Sequence, residues 1–560
     1  MSKSSSRASW RAQLSPVGIA IGCLGCIVIT ASSVYTALKL GALPWPTIFT
    51  SIVALFLLRA FGHRSLNEAN VTQIVMSAGS MVAGGLAFTI PGIWMLGLAD
   101  EVSWVEMLVV ALAGTLLGLV CTALIRRRFV EESGLEYPVG TAAAETLIAT
   151  KTGGTMGRRL FGSMGLAGLW CVARDALGWM PSLFLQLPVP GVSFAIYNSP
   201  QMLSMGYLAG GIGVLFWFIG AIFGNFGLIV GGSAAGLWDV TTAQGIVSSL
   251  GMGLMMGSGL GVVLKDILPH AAALLRGRTA QAGEKNPEAA AAGEKNNGRR
   301  RLDAGVLALM VAAAALLVCI GLGLGPLVAV AVVVLSFVTT VMSAQSVGQT
   351  GIDPMEIFGL IVLLAVAAFS DATQVQLFYV AGVVAVACGL AGDVMSDFKT
   401  GKIIGSDPRA MWVGQAVGAL LGTVVAVAVL VTLASAYGTD AFGAGKMFIA
   451  TQASVVATMV SGIPSIPGFV VGLLAGIALY WAGLPAMMFG LGVYLPIYMS
   501  LTASLGGLAK WVYGRVCAAR GHAENAEENG TVVASGILGG ESIVGVVIAL
   551  VSVATGGIAG

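Results

Sequence analysis

The sequence predicts an all-α polytopic membrane protein with about sixteen transmembrane helices, each near the ~20 apolar residues needed to cross a bilayer. The 560-residue chain is 57% hydrophobic and only 10% charged, and its mean hydropathy is +0.92. Ordinary soluble domains carry about a quarter charged residues. Apolar stretches also recur along the whole chain rather than in one place. We therefore expect a lipid bilayer around this protein, and the net charge of +2 indicates no nucleic-acid partner.

The predicted helices follow the apolar runs. In the first half these runs are 17–38, 42–62, 70–91, 104–125, 136–152, 159–181, 200–223 and 243–268. In the second half they are 303–323, 325–345, 354–372, 375–395, 411–436, 466–483, 486–511 and 531–555. Segment 136–152 is short and polar, and 449–464 is an additional moderately apolar stretch. Either of these two segments could re-enter the membrane instead of spanning it.

Basic residues indicate the orientation of the chain in an inner (cytoplasmic) membrane. The run 17–38 follows Lys3, Arg7 and Arg11 but exceeds the apolar core of a cleaved signal, so it is predicted to be an uncleaved first span. Clusters such as 126–128 and 299–301 predict cytoplasmic loops. The basic loop 510–520 conflicts with an even number of spans.

One glycine-rich pattern occurs twice in the chain, about 284 residues apart. Such an internal repeat is typical of transporters built from two related halves. Asn70 and Gln73 correspond to Asp353 and Glu356 in this comparison, and residues 200–208 to 485–495. We predict a first transmembrane repeat at 1–272 and a second at 303–560. Residues 273–302 contain the sequence AGEKN twice, and this polar composition predicts a disordered cytoplasmic linker.

Four segments resemble the oligopeptide transporter family. Residues 33–39 (SVYTALK) and 67–73 (NEANVTQ) resemble the opening of its bacterial members, and 134–145 (GLEYPVGTAAAE) resembles its short first-half signature. Residues 397–401 (DFKTG), followed by 407–409 (DPR), are similar to its second-half signature. The resemblance implies about sixteen helices formed by duplication. It also implies proton-coupled uptake of peptides or, in the yellow-stripe-like branch, of metal chelates.

Candidate site residues in the first half lie in the segment after residue 134. A charge at membrane depth is costly, so an ionisable group there usually faces a cavity and has a function. Glu136, Thr141 and Glu145 are predicted to bind substrate, with Asn70 as a further polar contact, and Glu145 is also predicted to exchange a proton. The alternative for the two glutamates is a helix end at the membrane interface.

Candidate residues in the second half are mostly carboxylates. Asp393 and Asp397 are four residues apart and therefore share a helix face. They are predicted to couple protons, with Lys399 as a substrate contact, although a solvated helix end explains them equally well. Asp353 and Glu356 open a helix, where they could either couple protons or complement the helix dipole. Arg174 and Asp175 are interpreted as part of a buried structural network. Glu541 is a weaker candidate for a functional residue.

The resemblance, together with these residues, implies a proton-coupled symporter for oligopeptides or similar small solutes, with no cofactor and no metal site. All three histidines lie at predicted loop edges, so a proton carrier at membrane depth would be a carboxylate. Segment 443–446 (GAGK) lacks the spacing of a phosphate-binding loop, which argues against ATP-driven transport. A symporter for metal chelates or siderophores is the main alternative, and an intramembrane enzyme is a further one. A homodimer is left open.

Overall fold

The structure is a computed structural model. It describes residues 10–40, 43, 46–152, 155–262, 264–265, 304–351, 353–443, 446, 448, 450–460, 464–519 and 523–554. The predicted linker at 273–302 lies outside the described residues.

The first half contains eleven helices and a hairpin within these ranges. They are α1 (Pro16–Leu40), α2 (Pro46–Ala60), α3 (Leu66–Ala87), α4 (Pro91–Met95), α5 (Trp104–Arg126), α6 (Pro138–Thr152), α7 (Thr155–Cys171), β1 (Leu183–Val189), β2 (Val192–Tyr197), α8 (Pro200–Ala209), α9 (Gly211–Ile222), α10 (Gly232–Ala234) and α11 (Val240–Val262). Several begin with proline, whose missing N–H costs nothing in the first helical turn.

The described part of the second half contains ten helices. They are α12 (Ala304–Leu316), α13 (Pro326–Thr350), α14 (Met355–Phe369), α15 (Gln374–Ile404), α16 (Pro408–Tyr437), α17 (Thr451–Val460), α18 (Ile466–Trp481), α19 (Ala486–Tyr494), α20 (Ile497–Ala519) and α21 (Ala523–Ala554). Gly351 and Gly405 follow α13 and α15 with left-handed backbones, a conformation that favours glycine after a helix.

The architecture is that of an all-α polytopic membrane protein. Among the described residues, eight helical stretches are long and apolar enough to cross a membrane: Pro16–Tyr35, Leu66–Met95, Trp104–Glu132, Gly211–Ala234, Ala304–Gly321, Pro326–Gln349, Gln374–Ile404 and Pro408–Ser435. Met355–Phe369 and Ile466–Trp481 are shorter apolar helices. The count of about sixteen spans stays a prediction.

A β-hairpin departs from the all-helical expectation. Strands β1 and β2 pair in antiparallel fashion, and Val189 lies opposite Val192. Between these two residues stand Pro190 and Gly191, and Gly191 has a φ of 76°. Proline followed by a glycine with positive φ is typical of a type II turn, which explains why the chain reverses here. The hairpin lies between the predicted runs 159–181 and 200–223, where no element was expected.

Helix packing in the core depends on glycines placed four residues apart. Gly418 and Gly422 of α16 contact the backbone of Val75 and Gly79 of α3. In the same way, Gly114 of α5 contacts the carbonyl of Val383 of α15, and Gly118 contacts Ala387. Since helices gain little from apolar contact in lipid, such small residues allow the close approach that holds them together.

A second set of paired contacts joins helices in the later part of each half. Gly206 of α8 contacts the backbone of Ala503 in α20, and Gly492 of α19 contacts that of Trp217 in α9. Gly506 and Gly220 likewise contact Leu203 and Phe489. The two pairs of helices therefore use the same kind of crossing, in which a glycine of one helix rests on a carbonyl of the other.

The residue before α6 and the residue before α17 have the same unusual backbone conformation. Tyr137 precedes α6 with a φ of 49°, and Ala450 precedes α17 with a φ of 41°; both values lie in the left-handed region. Each residue donates its backbone N–H to a carbonyl near the end of a long helix. Tyr137 donates to Gly348 of α13 at 3.0 Å, and Ala450 donates to Leu38 of α1 at 2.9 Å. These two helices correspond to the segments that the sequence marked as spanning or re-entrant.

Candidate functional site

The candidate site lies between α3 and α15, which pack in opposite directions. Gly401 is close to the Asn70 side chain at one end of this contact, and Gly85 meets Val386 further along. Nearly every described side chain of both helices is buried. Near the Asn70 end the facing residues are polar, because α3 presents an amide and a hydroxyl where α15 presents carboxylates. The site therefore concentrates hydrogen-bonding groups inside an otherwise apolar core.

Asp397 accepts more hydrogen bonds than the other carboxylates of the site. It is buried, with 3% of its surface exposed. The Gln73 amide donates to Asp397 Oδ1 at 2.9 Å and the Ser77 hydroxyl donates to Oδ2 at 3.2 Å. The Thr47 hydroxyl of α2 also bonds to this carboxylate. Three donors from two helices thus compensate the buried charge of Asp397, as a buried carboxylate requires.

The other carboxylates of the site have far fewer donors. Asp353 and Asp393 are buried, and Glu356 opens α14 beside them. Asp393 interacts electrostatically with Asp353, Asp397 and Glu356. Within the described residues, neither carboxylate oxygen of Asp353 nor Oδ2 of Asp393 accepts a hydrogen bond, although the Ser343 hydroxyl lies beside Asp353. We call Asp353, Glu356, Asp393 and Asp397 the acidic cluster.

The acidic cluster has no basic partner in the described part of the chain. Lys399 instead donates to the carbonyl of Leu135 at 2.7 Å, and Lys402 donates to that of Val130 at 2.9 Å. Both lysines therefore hold the loop that precedes α6. The alternative that Asp393 and Asp397 form a solvated helix end is wrong, because both are buried.

The residues of α6 approach α15 through its backbone. Gly140 packs on Ser396, which lies between Asp393 and Asp397, and its carbonyl accepts a bond from the Thr400 hydroxyl at 2.7 Å. This contact brings together two of the four segments that carry the sequence resemblance, 134–145 and 397–401. Thr141 donates to the carbonyl of Glu136. Glu136 is exposed and within electrostatic range of Lys399, and Glu145 is half-buried.

Asn70 is fully buried at the edge of the site. Its amide group faces Ser406 and the Met411 sulfur, at 3.5 and 3.2 Å. Gln73 and Ser77 were assigned no binding role from the sequence, although their four-residue spacing puts them on one face of α3. Their proximity to Asp397 depends on the packing of two helices more than 300 residues apart in the chain.

A separate buried network surrounds Arg174. Its guanidinium contacts Asp175 at 2.5 Å and Glu541 at 2.9 Å. Glu541 also accepts bonds from the Ser199 hydroxyl at 3.0 Å and the backbone N–H of Gln201 at 2.7 Å. Every oxygen of Glu541 is therefore satisfied, which agrees with the structural interpretation of Arg174 and Asp175 and leaves Glu541 no free group for a ligand.

The geometry of the site suits small charged ligands better than a bound metal. Among the described residues, no three His, Cys, Asp or Glu side chains converge closely enough to hold a metal ion. The unpartnered groups are acceptors, since Asn70 Oδ1 and Gln73 Oε1 join the oxygens of Asp353 and Asp393. Such a site can take up protons or bind a group that donates hydrogen bonds.

Comparison with known proteins identifies the class of protein. Residues 13–552 match the family described as OPT oligopeptide transporter protein. A Haemophilus influenzae protein named "Putative oligopeptide transporter" is 25% identical over an alignment that covers 93% of each chain. A rice protein named "Probable metal-nicotianamine transporter YSL10" is 28% identical over 36% of this chain and 32% of its own length.

The family match covers nearly the whole chain, so it does not depend on one motif. It rejects the hypothesis of an intramembrane enzyme and confirms the resemblance seen in the sequence. The chain is a multi-pass membrane protein that belongs to the OPT oligopeptide transporter family, a family of transporters rather than enzymes.

Proposed function

We propose that this protein is a proton-coupled symporter that carries oligopeptides or similar small solutes across the bacterial cytoplasmic membrane. Its partners are then the solute, protons and the lipid bilayer. The acidic cluster is the site of coupling in this proposal, and Asp397 is its central proton carrier. The oligopeptide relative supports this substrate class because its alignment extends over 93% of both chains.

The observation that carries the proposal is the set of donors around Asp397. Bonds from Gln73, Ser77 and Thr47 favour the charged form of a carboxylate. These donors belong to α2 and α3, whereas Asp397 belongs to α15. Movement of α3 away from α15 would remove the donors and leave a buried charge uncompensated, which favours uptake of a proton. Helix movement and proton binding are thereby linked.

We further propose that the two halves are structural repeats, with a correspondence that differs from the sequence comparison for the early helices. Equating α3 with α15 and α5 with α16 relates Val75 to Val383 and Gly114 to Gly418. The Gly418–Val75 and Gly114–Val383 contacts are then equivalent. Asn70 no longer corresponds to Asp353 in this arrangement, and α12 has no counterpart.

The later helices support the same arrangement. Equating Gly206 with Gly492 and Ala503 with Trp217 makes their two contacts equivalent. This pairing agrees with the sequence comparison of 200–208 with 485–495. In these examples each half contributes one helix to each contact, as expected for two repeats that enclose a central site.

The chemistry of the two repeats differs even though their packing is similar. Under this correspondence Asp393 and Asp397 of α15 are equivalent to Gly85 of α3 and to Thr89, which lies two residues after α3. The carboxylates therefore occur in one repeat only. With carboxylates in one repeat only, protons bind at only one end of the α3–α15 contact. A transporter with a single proton site between two similar halves needs this difference in side chains.

We propose that α6 and α17 are equivalent re-entrant segments of these repeats. Tyr137 and Ala450 have equivalent positions, left-handed backbones and equivalent hydrogen bonds to α13 and α1. Helices of fifteen and ten residues are shorter than the ~20 residues that span a bilayer. A tight backbone turn at the start of each helix suits a segment that enters the membrane and returns.

Uptake into proteoliposomes tests the proposed function. Labelled trialanine is added to vesicles that contain the purified full-length protein. The external solution has a lower pH than the vesicle interior. We expect accumulation above the external concentration in the native protein, which an uncoupler abolishes. Asp397→Asn should allow no accumulation, and Asp440→Asn, which changes an exposed aspartate, should behave as the native protein. Accumulation that persists with the uncoupler would contradict proton coupling.

A metal-chelate symporter is the second candidate, because a rice relative carries the name of a metal-nicotianamine transporter. The same vesicles distinguish the two candidates when a metal–nicotianamine complex replaces trialanine. Accumulation of the complex without accumulation of trialanine would favour this second candidate.

A further inference from the structure

The acidic cluster contains more acceptors than the described residues can satisfy. Asp353 is 8% exposed, and apart from the Ser343 hydroxyl beside it neither of its oxygens has a hydrogen-bond donor in the described ranges. Oδ2 of Asp393 and the Gln73 carbonyl Oε1 also lack donors. Buried polar groups are normally hydrogen-bonded, so each exception needs an explanation. In this cluster all the exceptions are acceptors, and a single kind of ligand would satisfy them.

One oxygen of Asp353 lies against the helix that carries Asp393. A side chain built at Gly392 would meet Asp353 Oδ2 at 2.9 Å, so this oxygen lies against the α15 turn that carries Asp393. Asp353 and Asp393 also interact electrostatically. Glycine at 392 lets the Ser343 hydroxyl pack directly against the α15 backbone, where an added Cβ would overlap it. Asp353 therefore lies against the turn of α15 that carries Asp393, and no described basic residue forms an ion pair with either carboxylate.

We propose that the acidic cluster binds a primary ammonium group of the transported solute between Asp353 and Asp393. An ammonium carries one positive charge and three donors, which complement two carboxylates and a nearby amide carbonyl. A metal ion fits less well, because no three suitable side chains converge in the described ranges. This inference rests on the proposed function and names the group by which the solute is recognised.

Binding of labelled trialanine to the purified full-length protein tests the inference. Unlabelled trialanine amide, which keeps the amine and loses the carboxylate, should compete as well as trialanine. N-acetyl-trialanine should compete at least about tenfold more weakly, because it cannot form charge-assisted hydrogen bonds to the two aspartates. The double variant Asp353→Asn/Asp393→Asn should lose this discrimination, and Asp440→Asn should keep it. Equal competition by N-acetyl-trialanine would overturn the inference.

A second measurement uses the native protein and needs no peptide. A hydrophobic carbodiimide modifies buried carboxylic acids, and mass spectrometry measures its attachment at Asp353 and Asp393. Ethylammonium chloride should slow modification at both residues, while potassium chloride at the same concentration should not. Protection by ethylammonium without binding of trialanine would reject the peptide substrate and support the ammonium site. Equal effects of the two salts would overturn the ammonium site itself.

Discussion

The Gln73 amide donates to the Asp397 carboxylate at 2.9 Å, and this bond joins helices that lie in different halves of the chain. The same amide nitrogen lies 3.1 Å from the Ser77 hydroxyl, which also donates to Asp397. The contact between α3 and α15 thus includes a charged group whose stability depends on its neighbours. Any change in this contact should alter both the stability of the protein and its affinity for protons.

Gln73→Ala should destabilise the protein by about 1–3 kcal/mol, because it removes one donor from a buried carboxylate. Loss of the donor also favours the protonated form of Asp397. We therefore expect half-maximal uptake of trialanine to move to higher pH. Thermal unfolding and the pH profile of uptake measure the two effects. The control is Gln452→Ala, which removes an amide in α17 that is half-buried and outside the acidic cluster; an equal pH shift in both variants would contradict the role of Gln73.

Breaking the Arg174–Glu541 ion pair should strongly destabilise the protein. Removing one partner leaves the other charge buried, which typically costs about 3–5 kcal/mol. Arg174→Met and Glu541→Leu should each lower the melting temperature. The double variant should lose less than the two single losses added together, because it leaves no unpaired charge between these two residues. Additive losses would show that the two residues do not stabilise each other.

Enlarging the packing glycines should separate α3 from α16 and α5 from α15. A Cβ at Gly422 meets the backbone of Gly79, and a Cβ at Gly118 lies 2.7 Å from the Leu390 side chain. We expect Gly422→Ala and Gly118→Ala each to cost about 1–3 kcal/mol of stability through overpacking. Gly514→Ala is the matched control, since nothing lies within 4 Å of its added methyl group. Similar melting temperatures for all three variants would refute the proposed close crossings.

Substitutions at Ala450 test the left-handed backbone conformation before α17. A β-branched residue adopts positive φ only with difficulty, so Ala450→Val should destabilise the protein by at least ~1–2 kcal/mol. Glycine accepts this backbone without strain, and Ala450→Gly should therefore remain within about 1 kcal/mol of the native protein. Thermal unfolding compares the two variants. Greater stability of the valine variant than the glycine variant would contradict the backbone geometry.

Much of the fold could be predicted from composition, because long apolar runs permit few structures other than membrane helices. The hairpin at β1 and β2 was missed, since its residues are apolar and only Pro190 and Gly191 indicate a turn. The left-handed backbone of Tyr137 could not be predicted either. A bulky aromatic residue rarely adopts it, and it is stabilised here by a bond to Gly348.

The candidate site could be predicted in part. Asp393 and Asp397 stand out because carboxylates are rare in apolar helices, and their spacing puts them on one face. Gln73, Ser77 and Thr47 could not be linked to Asp397, because no local pattern reveals which helices pack together. Glu136 and Glu145 stand out in the sequence for the same reason as the aspartates, but Glu136 is exposed and Glu145 is only half-buried in the structure. Their predicted roles in binding and coupling stay predictions.

The most direct test of the account is proton movement that accompanies uptake. Vesicles containing the full-length protein and an internal pH indicator are mixed with trialanine at equal pH on both sides. We predict internal acidification that requires trialanine and is lost in Asp397→Asn but kept in Asp440→Asn. Uptake of trialanine by the native protein without internal acidification would contradict the proposal that Asp397 carries protons together with the solute.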